Sequence, residues 1–405
     1  MISPQLALTK EAEDYLEDLA EELRVSETRY EQAARSYNSL GDWLHRPASS
    51  VRNYGPQVFV QGSFRLGTTI KPLNEAEEYD VDSVCELTSL TKQQLSQAHL
   101  KALLGAEIEA YRRSQNMVKP LREGRRCWVL DYADGAQFHM DVVPSVPNGQ
   151  NQRILLEAKG HDARWAMTAI GITDREVWNF EIVSDDWPRS NPKGYAEWFK
   201  SRMAAVFERR RRMIAEKVHA KVEDIPDYRV MTPLQSAIMI LKRHRDHMFV
   251  DRSEVRPISV IITTLSAHAY NGEETIGKAL LSILTRMDHF IFNVGGEYLI
   301  PNPTDALENF ADKWKAYPER AMAFIEWLRQ AREDFGRAAS LVSRQMITES
   351  VARGVGSAVA ERARIRKGTG PAGLLMGAST APAAPKSGFA FPDRPRVPTK
   401  PQGFA

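Results

Sequence analysis

Apolar residues in the N-terminal part of the chain are spaced first as in helices and then as in strands. Residues 9–24 and 26–46 have apolar side chains three or four positions apart, which predicts two helices. A third helix is expected over residues 91–113. Four shorter apolar segments are predicted to be strands: 57–61, 79–87, 125–131 and 136–143. Strands that alternate with helices in this way indicate a mixed sheet with helices packed against it.

The second half of the chain is predicted to be mostly helical. Asn191 and Pro192 interrupt the pattern of the first half, and Thr232 followed by Pro233 is typical of a helix start, because proline suits the first helical turn. Helices are expected in four places: 195–221, from 233 onwards, 258–270, and beyond Pro303 to about residue 353. No internal repeat is present that would indicate a solenoid.

These patterns predict an α+β protein with two lobes and a tail. We expect the sheet and the N-terminal helices in residues 1–190 and a helical lobe in residues 191–365. Residues 366–405 differ in composition, because seven of the 22 prolines fall after residue 370, among small side chains. Such a segment buries too little apolar surface to fold, so a disordered proline-rich tail is expected. A tail of this kind is either a handle for another protein or an inert terminus.

The overall composition is typical of a globular protein without membrane spans. Of the 405 residues, 43% are hydrophobic and 26% are charged, and no apolar run approaches the length needed to cross a bilayer. The acidic, amphipathic N-terminus is not expected to be a signal peptide. Cys85 and Cys127 are expected to be reduced thiols, which indicates a cytoplasmic protein.

The charge is distributed unevenly along the chain. The net charge is +2, but the segment from Glu361 to Ala405 holds eight Lys or Arg and two Asp or Glu. The tail therefore carries +6 and the rest of the chain −4. An acidic body argues against a dedicated nucleic-acid surface, although it is compatible with nucleotide substrates that bring their own cations.

Three aspartates are the first candidates for chemistry. Asp80 and Asp82 are two positions apart in a predicted strand, so their side chains project from the same face of the sheet. Asp141 lies in an apolar run that is predicted to be a buried strand, where a charge is costly unless it is paired or binds a metal. Carboxylates are the ligands that Mg²⁺ prefers, and two metal ions held in this way assist in-line displacement at phosphorus.

A turn before these acids has the composition of a phosphate-binding loop. Gly62 allows close approach of the backbone to a phosphate, and Ser63 offers a hydroxyl and an N–H group. Gly62 and Gly67 also have the spacing of a P-loop, but Thr68 and Thr69 follow where that motif requires Lys and then Ser or Thr. The P-loop interpretation is therefore excluded.

Each of these features alone has an ordinary structural explanation. A Gly-Ser pair usually only forms a turn, and an Asp-x-Asp pair is usually solvated. Here the turn, the paired acids and the buried acid follow one another within about 80 residues, each on a predicted strand or at its end. This combination favours a nucleotidyltransferase site.

Lys242 and Ser259 are further candidates for binding phosphate. Lys242 follows the apolar face of a predicted helix, where a buried cation needs an anionic partner such as a triphosphate. Ser259 lies at the start of the next predicted helix, and helix N-termini favour phosphate. The alternative for Lys242 is a surface lysine near its helix end.

Together these segments resemble the bacterial cGAS/DncV-like nucleotidyltransferases, or CD-NTases. The resemblance covers about residues 1–350 and rests on these stretches: Gln61–Thr68, Asp80–Asp82, Phe138–Pro144, Leu234–Asp246, Pro257–Tyr270 and Asn302–Trp314. It implies a polymerase-β-like nucleotidyltransferase core joined to a helical lobe like that of the oligoadenylate synthases, with nucleotides bound between the lobes. One departure is the long interval between Ser63 and Tyr79, which a turn at residues 71–74 would absorb.

The resemblance also implies roles for individual residues. The catalytic residues, which are also the ligands of two Mg²⁺ ions, would be Asp80, Asp82 and Asp141. The nucleotide-binding residues would be Gln61, Gly62, Ser63, Lys242 and Ser259.

A function and a set of partners are implied in the same way. Members of the family make cyclic di- or trinucleotide second messengers from NTPs in anti-phage (CBASS) defence, and the messenger activates a separate effector. For this chain we expect an adenine-containing product, with ATP as a substrate and GTP as a second one. Some operons supply a HORMA-type activator, and others an E1/E2-like protein that conjugates the synthase through a small terminal residue, here Ala405.

Two other functions remain open from the sequence. The first is transfer of nucleotides to RNA or protein by an enzyme of the same superfamily, against which the acidic body argues. The second is a non-catalytic nucleotide-binding scaffold recruited through its tail, against which the complete set of three aspartates argues.

Overall fold

The computed structural model describes residues 8–72, 79–132 and 138–366. The tail predicted over 366–405 therefore lies almost entirely outside the described residues, as does Ala405. Half of the turn expected at residues 71–74 is also outside them, because the description stops at Pro72. Within the described ranges, no helix is both long enough and apolar enough to cross a membrane.

A mixed seven-stranded sheet forms the first lobe. Its central order is β1-β2-β5-β4-β3, with β6 paired to β5 and β7 paired to β6. The pair β2 and β5 is parallel, whereas β1 with β2 and β4 with β5 are antiparallel. The strands are β1 (Pro56–Val60), β2 (Tyr79–Leu87), β3 (Arg122–Glu123), β4 (Trp128–Tyr132), β5 (Phe138–Pro147), β6 (Ile170–Ile172) and β7 (Arg189–Ser190).

Helices cover this sheet and build the second lobe. They are α1 (Lys10–Leu23), α2 (Glu27–Leu44), α3 (Gly62–Leu66), α4 (Gln97–Ser114), α5 (Gly149–Ala158), α6 (Pro192–Lys217), α7 (Pro233–Met248), α8 (Ser259–Ala269), α9 (Ile276–Arg286), α10 (Lys313–Ala316), α11 (Pro318–Ala339), α12 (Arg344–Val355) and α13 (Ser357–Ile365). Two small hairpins interrupt the helical lobe, and their strands are β8 (Phe292–Val294), β9 (Glu297–Leu299), β10 (Pro301–Asn302) and β11 (Asp305–Asn309). The α+β class and the polymerase-β-like core with a helical second lobe are confirmed.

The two lobes have separate hydrophobic cores. Side chains of α2 and α4, among them Leu40 and Leu104, are buried against the apolar face of the sheet. The helical lobe has the larger core, around Leu241 and Trp327. Helix α1 contributes Tyr15 and Leu19 to this second core, although it precedes the sheet in the chain. Apolar burial on both sides thus holds the sheet and the helices as two bodies joined at the site described below.

The sequence predicted long elements better than short ones. Helix α4 begins at Gln97 rather than 91, because the Ser96 hydroxyl caps it by accepting from the His99 N–H. Strand β5 runs beyond the predicted end at 143 to Pro147, where it pairs with β6. Strands β6 and β7 and both hairpins of the helical lobe have two to five residues each, which is too short for a periodic signal.

Candidate active site

Strand pairing brings the three predicted aspartates together. Strands β2 and β5 run in parallel, with Asp82 opposite Asp141 and Asp80 opposite His139. Residues two apart on a strand project from the same face, so Asp80 and Asp82 share the face to which Asp141 belongs. Asp82 and Asp141 are far apart in the sequence, but the register of β2 against β5 places them side by side.

The three carboxylates repel one another electrostatically. The pKa of Asp82 is raised to about 7, first because the side chain is buried and then because Asp80 and Asp141 lie near it. Burial and the charge of Asp141 also raise the pKa of Asp80. Among the described residues, no donor reaches the buried Oδ1 of Asp141, and its Oδ2 accepts a hydrogen bond from the Cys127 thiol at 3.3 Å. A divalent cation fits this set, because it supplies the positive charge that the three acids lack.

His139 also belongs to the cluster, although no role was predicted for it. Its Nε2 lies 3.4 Å from Asp80 Oδ1. Asp80, His139 and Asp141 each offer a ligand atom, and these atoms lie within 4.8 Å of one another. The sequence feature that could have indicated His139 is its position two residues before Asp141, on the same strand and therefore on the same face.

The turn after β1 lies directly against these acids. The Gln61 N–H donates to the Asp82 carbonyl at 2.8 Å, which extends the pairing of β1 and β2 into the turn. Gly62 has a φ of +62°, and a Cβ at this position would overlap the carboxylate of Asp82. Glycine is therefore required here by the neighbouring carboxylate as well as by the backbone conformation.

Ser63 occupies the first turn of α3 and is tied to the loop that follows. Its carbonyl accepts from the Thr68 N–H at 2.9 Å, and its hydroxyl accepts from the Thr69 hydroxyl at the same distance. Two hydroxyls, of Ser63 and Thr69, thus lie side by side at the rim of the cluster. Such a pair can donate to a phosphate oxygen.

Lys242 reaches the same place from the helical lobe. It is 5% exposed, and its Nζ donates to the carbonyl of Thr68 at 3.0 Å and to the Thr68 hydroxyl at 3.2 Å. Burial, and then the charge of Arg245, lower its pKa to about 7. The alternative of a solvated surface lysine is wrong, because the ammonium is enclosed between the lobes. Both acceptors of its two hydrogen bonds to Thr68 are neutral atoms, so the buried amine is suited to an incoming anion.

Ser259 is the first residue of α8, and a helix α7 side chain holds it. Arg245 Nη1 donates to the Ser259 hydroxyl at 2.7 Å and to the Pro257 carbonyl at 3.1 Å. Arg245 is itself buried and forms an ion pair with Asp246. The sequence indicated Ser259 but missed Arg245, whose role depends on a contact between two helices.

Two adjacent cavities open onto the predicted residues. One has a volume of about 470 Å³, and basic side chains outnumber acidic ones in its lining, among them Lys71, Arg245 and Arg256. The other has a volume of about 430 Å³ and is lined by aspartates of the cluster together with Tyr195 and Phe310. Four residues line both cavities, and all four were predicted from the sequence: Ser63, Asp80, Lys242 and Ser259.

The two cavities suit different parts of a nucleotide. The first suits phosphate groups, and the second, the base-like cavity, suits a nucleobase. Several cations line the first cavity, where they can bind the anionic end of one ligand. The second cavity is lined by the rings of Tyr195 and Phe310, whose centroids are 6.3 Å apart. Aromatic faces suit stacked bases, and clustered cations suit phosphates. A mixed sheet with this acidic cluster on one face, beside a helical lobe that presents a buried lysine, defines a polymerase-β-like nucleotidyltransferase.

Comparisons with known proteins agree with this class. Residues 11–170 match the Second Messenger Oligonucleotide or Dinucleotide Synthetase domain family, SMODS. The chain is 28% identical over 325 residues to a protein of Roseivirga ehrenbergii named c-di-GMP synthase, covering 80% of this chain and 78% of the relative.

Solved structures show the same fold. CdnG of Bradyrhizobium diazoefficiens, a CD-NTase solved in complex with GTP, superposes with a TM-score of 0.65 at 20% identity and covers 87% of this chain and 98% of its own. The cyclic AMP-GMP synthase DncV of Vibrio cholerae gives a TM-score of 0.54 at 13% identity, over 86% of this chain and 97% of its own. The chain therefore has the fold of the cGAS/DncV-like nucleotidyltransferases, and its residues 11–170 resemble the SMODS domain of second-messenger synthetases.

Proposed function

We propose that this protein is an Mg²⁺-dependent synthase that joins nucleoside triphosphates into a cyclic di- or trinucleotide. The observation that carries the proposal is the cluster of Asp80, Asp82 and Asp141 on β2 and β5, in which Asp80 and Asp82 line a cavity together with Lys242. A binding module without chemistry would gain nothing from three mutually repelling carboxylates, because their repulsion destabilises the fold.

The residues that would hold two Mg²⁺ ions are the three aspartates. The buried, unpartnered Oδ1 of Asp141 and the raised pKa of Asp82 support this assignment. Bound Mg²⁺ supplies the positive charge that phosphoryl transfer requires at the attacking and leaving oxygens. His139 lies close enough to Asp80 to fix the orientation of that carboxylate.

The remaining residues position the substrates. Lys242, Ser63 and Ser259 would hold the triphosphate of the donor nucleotide, because all three line the cavity beside the acids. The 3′ (or 2′) hydroxyl of a second nucleotide attacks the α-phosphorus, a new P–O bond forms, and the bond to pyrophosphate breaks. Asp141 would assist removal of the proton from the attacking hydroxyl. A second transfer in the same pocket closes the ring, so positioning supplies most of the catalysis.

We infer guanine nucleotides as substrates. The relative from Roseivirga ehrenbergii is named a c-di-GMP synthase, and the CdnG structure contains GTP. The adenine-containing product expected from the sequence is the competing outcome, since the Vibrio cholerae relative is named a cyclic AMP-GMP synthase. Base composition of the product distinguishes the two.

The proposed cellular role is anti-phage signalling in the cytoplasm. In this role the product activates a separate effector protein, and a HORMA-type activator or an E1/E2-like conjugating protein regulates the synthase. Ala405 would be the site of conjugation. The support for this role is the resemblance to CD-NTases, and genes that neighbour the coding sequence provide the first check.

Product analysis tests the enzymatic proposal. The purified chain is incubated with all four NTPs and Mg²⁺, pyrophosphate is measured, and products are identified by mass spectrometry. We expect pyrophosphate and a cyclic product, and we expect neither from the variant with Asp80→Asn and Asp82→Asn. Asp162→Asn is the matched control, because Asp162 is an exposed acid that lines neither cavity.

Each other outcome has a defined meaning. Labelled product that migrates with RNA or protein would indicate a nucleotide-modifying enzyme of the same superfamily. Nucleotide binding without pyrophosphate, across activating conditions, would indicate a scaffold. Undiminished activity of the double variant would show that the reaction occurs elsewhere on the protein.

A further inference from the structure

The β10–β11 hairpin places a carboxylate of the helical lobe at the base-like cavity. Glu308 lies on β11 and lines the cavity of about 430 Å³ together with Asp80, Asp82 and Lys242. The aromatic residues Tyr195 and Phe310 line the same cavity. This glutamate belongs to neither the acidic cluster on the sheet nor the basic cavity, so the reaction as described above does not use it.

The neighbouring residues hold Glu308 in one orientation. Asn302 Nδ2 donates to Glu308 Oε2 at 2.6 Å. The other end of the Asn302 amide is also fixed, because its Oδ1 accepts from the Thr304 N–H at 2.9 Å and from the Thr304 hydroxyl at 3.0 Å. The amide therefore cannot turn, and the Glu308 carboxylate is held by a rigid donor.

The hairpin itself is anchored to the sheet. Arg189 at the edge strand β7 donates from Nε to Asp305 Oδ2 at 3.0 Å, and Asp305 lies on β11 three residues before Glu308. Asn309 fixes the other end of β11, because its Oδ1 accepts from the N–H groups of Ile300 and Ala311, both at 2.9 Å. Glu308 thus stands on a braced element that spans the two lobes.

One oxygen of this carboxylate is available to a ligand. Within the part of the chain that the structure describes, Glu308 has no ion-pair partner within 4 Å, and Oε1 receives no hydrogen bond. The side chain is partly buried, and burial raises its pKa. A partly buried acceptor with a free lone pair favours a ligand that brings donors.

Among the four bases, guanine has the complementary edge. Its N1–H and N2–H groups are adjacent donors, so one can donate to the free Oε1 and the other to the second lone pair of Oε2, beside the Asn302 amide. Adenine instead presents a ring-nitrogen acceptor beside an amino donor, so one carboxylate oxygen would face a lone pair. Cytosine has the same mixture, and uracil has a single N–H between two carbonyls. Specificity of this kind is strong, because the wrong base leaves a buried polar group unpaired.

We propose that Glu308, oriented by Asn302, selects a guanine base in the cavity beside the acidic cluster. The inference rests on the proposed function, since it assigns the base of a nucleotide whose phosphates bind near Lys242. Tyr195 and Phe310 supply apolar faces for the ring, and Glu308 reads its edge. The substrate class is thereby narrowed to guanosine triphosphates at this position.

Nucleotide binding to the unaltered protein gives the first test. Equilibrium affinity is measured for non-hydrolysable analogues of GTP, ITP and ATP, where inosine lacks only the N2 amino group of guanine. We expect the GTP analogue to bind about tenfold tighter than the ITP analogue, because one hydrogen bond to a charged acceptor is lost. Equal affinity for the two would overturn the proposal, and this result requires no variant to fold.

Glu308→Gln gives the second test, with Glu297→Gln as its matched control. Glutamine is isosteric, but its NH₂ group opposes the N2 amino group of guanine and suits the ring nitrogen of adenine. We expect the preference for GTP over ATP to fall at least about tenfold in Glu308→Gln, and the discrimination against ITP to disappear. Glu297 lies in the neighbouring hairpin, pairs with Lys315 and lines neither cavity, so its variant should keep the original preference.

The two proposals fail separately. If the protein forms a cyclic product but Glu308→Gln retains the original base preference and a normal melting temperature, Glu308 is a structural partner of Asn302 and the inference is wrong. If no product forms under any condition, the proposed function fails, while the binding preferences still decide the role of Glu308.

Discussion

The acidic and the basic sides of the site are built in different ways. The acids lie on neighbouring strands, and the backbone hydrogen bonds of β2 and β5 fix Asp82 beside Asp141. Two buried basic residues of the site, Lys242 and Arg245, lie on helix α7 of the other lobe, where side-chain contacts hold them. Lys242 reaches a carbonyl 174 residues earlier in the chain, and Arg245 holds the start of α8.

One helix organises the whole basic side. Consecutive side chains of α7 bind different parts of the protein, as follows: Lys242 binds Thr68, Arg243 binds the carbonyls of Lys71 and Pro72, His244 binds Asp334 on α11, and Arg245 binds Ser259. A helix turns by about 100° per residue, so neighbours on it necessarily face different elements. Neighbouring strands can place several like charges on one face of a sheet, whereas successive residues of a helix contact different elements around its axis.

The comparison has an energetic consequence. The strand-borne acids repel one another, and the fold tolerates them only because the sheet is held by hydrogen bonds and apolar burial on its other face. The helix-borne lysine is desolvated instead, with a lowered pKa. Each side is destabilising by itself, and a bound metal–nucleotide complex relieves both, so we expect ligand binding to raise stability strongly.

Removing one acid should have the largest effect on the acidic side. In Asp82→Asn we expect activity to fall by more than about 100-fold, because even residues that only orient metal ligands cost 10–100-fold when they are changed. The raised pKa of Asp82 also predicts a change in stability. An acid whose pKa is higher in the folded state favours folding at low pH, and this contribution is lost as the pH rises through the folded value.

The unfolding free energy without divalent ions should therefore decrease between about pH 4 and about pH 7 in the unaltered protein. Asp82→Asn should show a smaller decrease over the same range, measured by urea denaturation. Identical pH profiles for the two proteins would mean that the acids do not repel one another, and the contrast between the two sides would fail.

Lys242→Met tests the basic side and should reduce catalytic efficiency by roughly 10–100-fold, mainly by weakening triphosphate binding. The pKa of about 7 also predicts proton uptake on binding. The lysine is mostly neutral at pH 8, and a bound triphosphate would favour its protonated form. Calorimetry in buffers of different ionisation enthalpy should detect proton uptake on binding. Lys200→Met is the control, since Lys200 pairs with Asp227 and lines neither cavity. Equal proton uptake in Lys242→Met would assign the proton elsewhere.

Gly62→Ala separates backbone strain from crowding of the acids. Gly62 and Gly160 both have positive φ, but a Cβ at Gly160 meets no atom within 4 Å, whereas one at Gly62 would displace the Asp82 carboxylate. Both changes should cost about 1–2 kcal/mol of stability through the left-handed backbone. Only Gly62→Ala should also reduce activity, by roughly tenfold. Equal activities would show that the carboxylate tolerates displacement.

Cys127→Ala should have the smallest effect. The thiol donates to Asp141 Oδ2 at 3.3 Å and so helps to orient a proposed metal ligand. Because a thiol is a weak donor, we expect a fall in activity of less than about tenfold. Cys127→Ser keeps a donor and should retain activity, while the Mn²⁺ affinity of both variants is measured to follow the site directly. A larger loss in the serine variant than in the alanine variant would contradict an orienting role.

The two sides also differ in how well the sequence predicted them. Asp80, Asp82 and Asp141 could be grouped because alternation along a strand is a local rule, and apolar neighbours marked both strands as buried. Lys242 and Ser259 could be suggested only from resemblance and helix position. Arg245, Asn302 and Glu308 were missed, since each depends on an element that is distant in sequence or too short to predict.

The sequence by itself determined the long helices and strands and the faces that they bury, because helix and strand periods are properties of neighbouring residues. It also placed a turn and three acids in an order that implies phosphoryl transfer. The tertiary structure alone decided what surrounds those acids: the buried lysine, the division into a basic and an aromatic cavity, and the hairpin that carries Glu308. These features depend on how the two lobes pack against each other. That packing includes contacts between residues more than 100 positions apart, which cannot be predicted from a local sequence pattern.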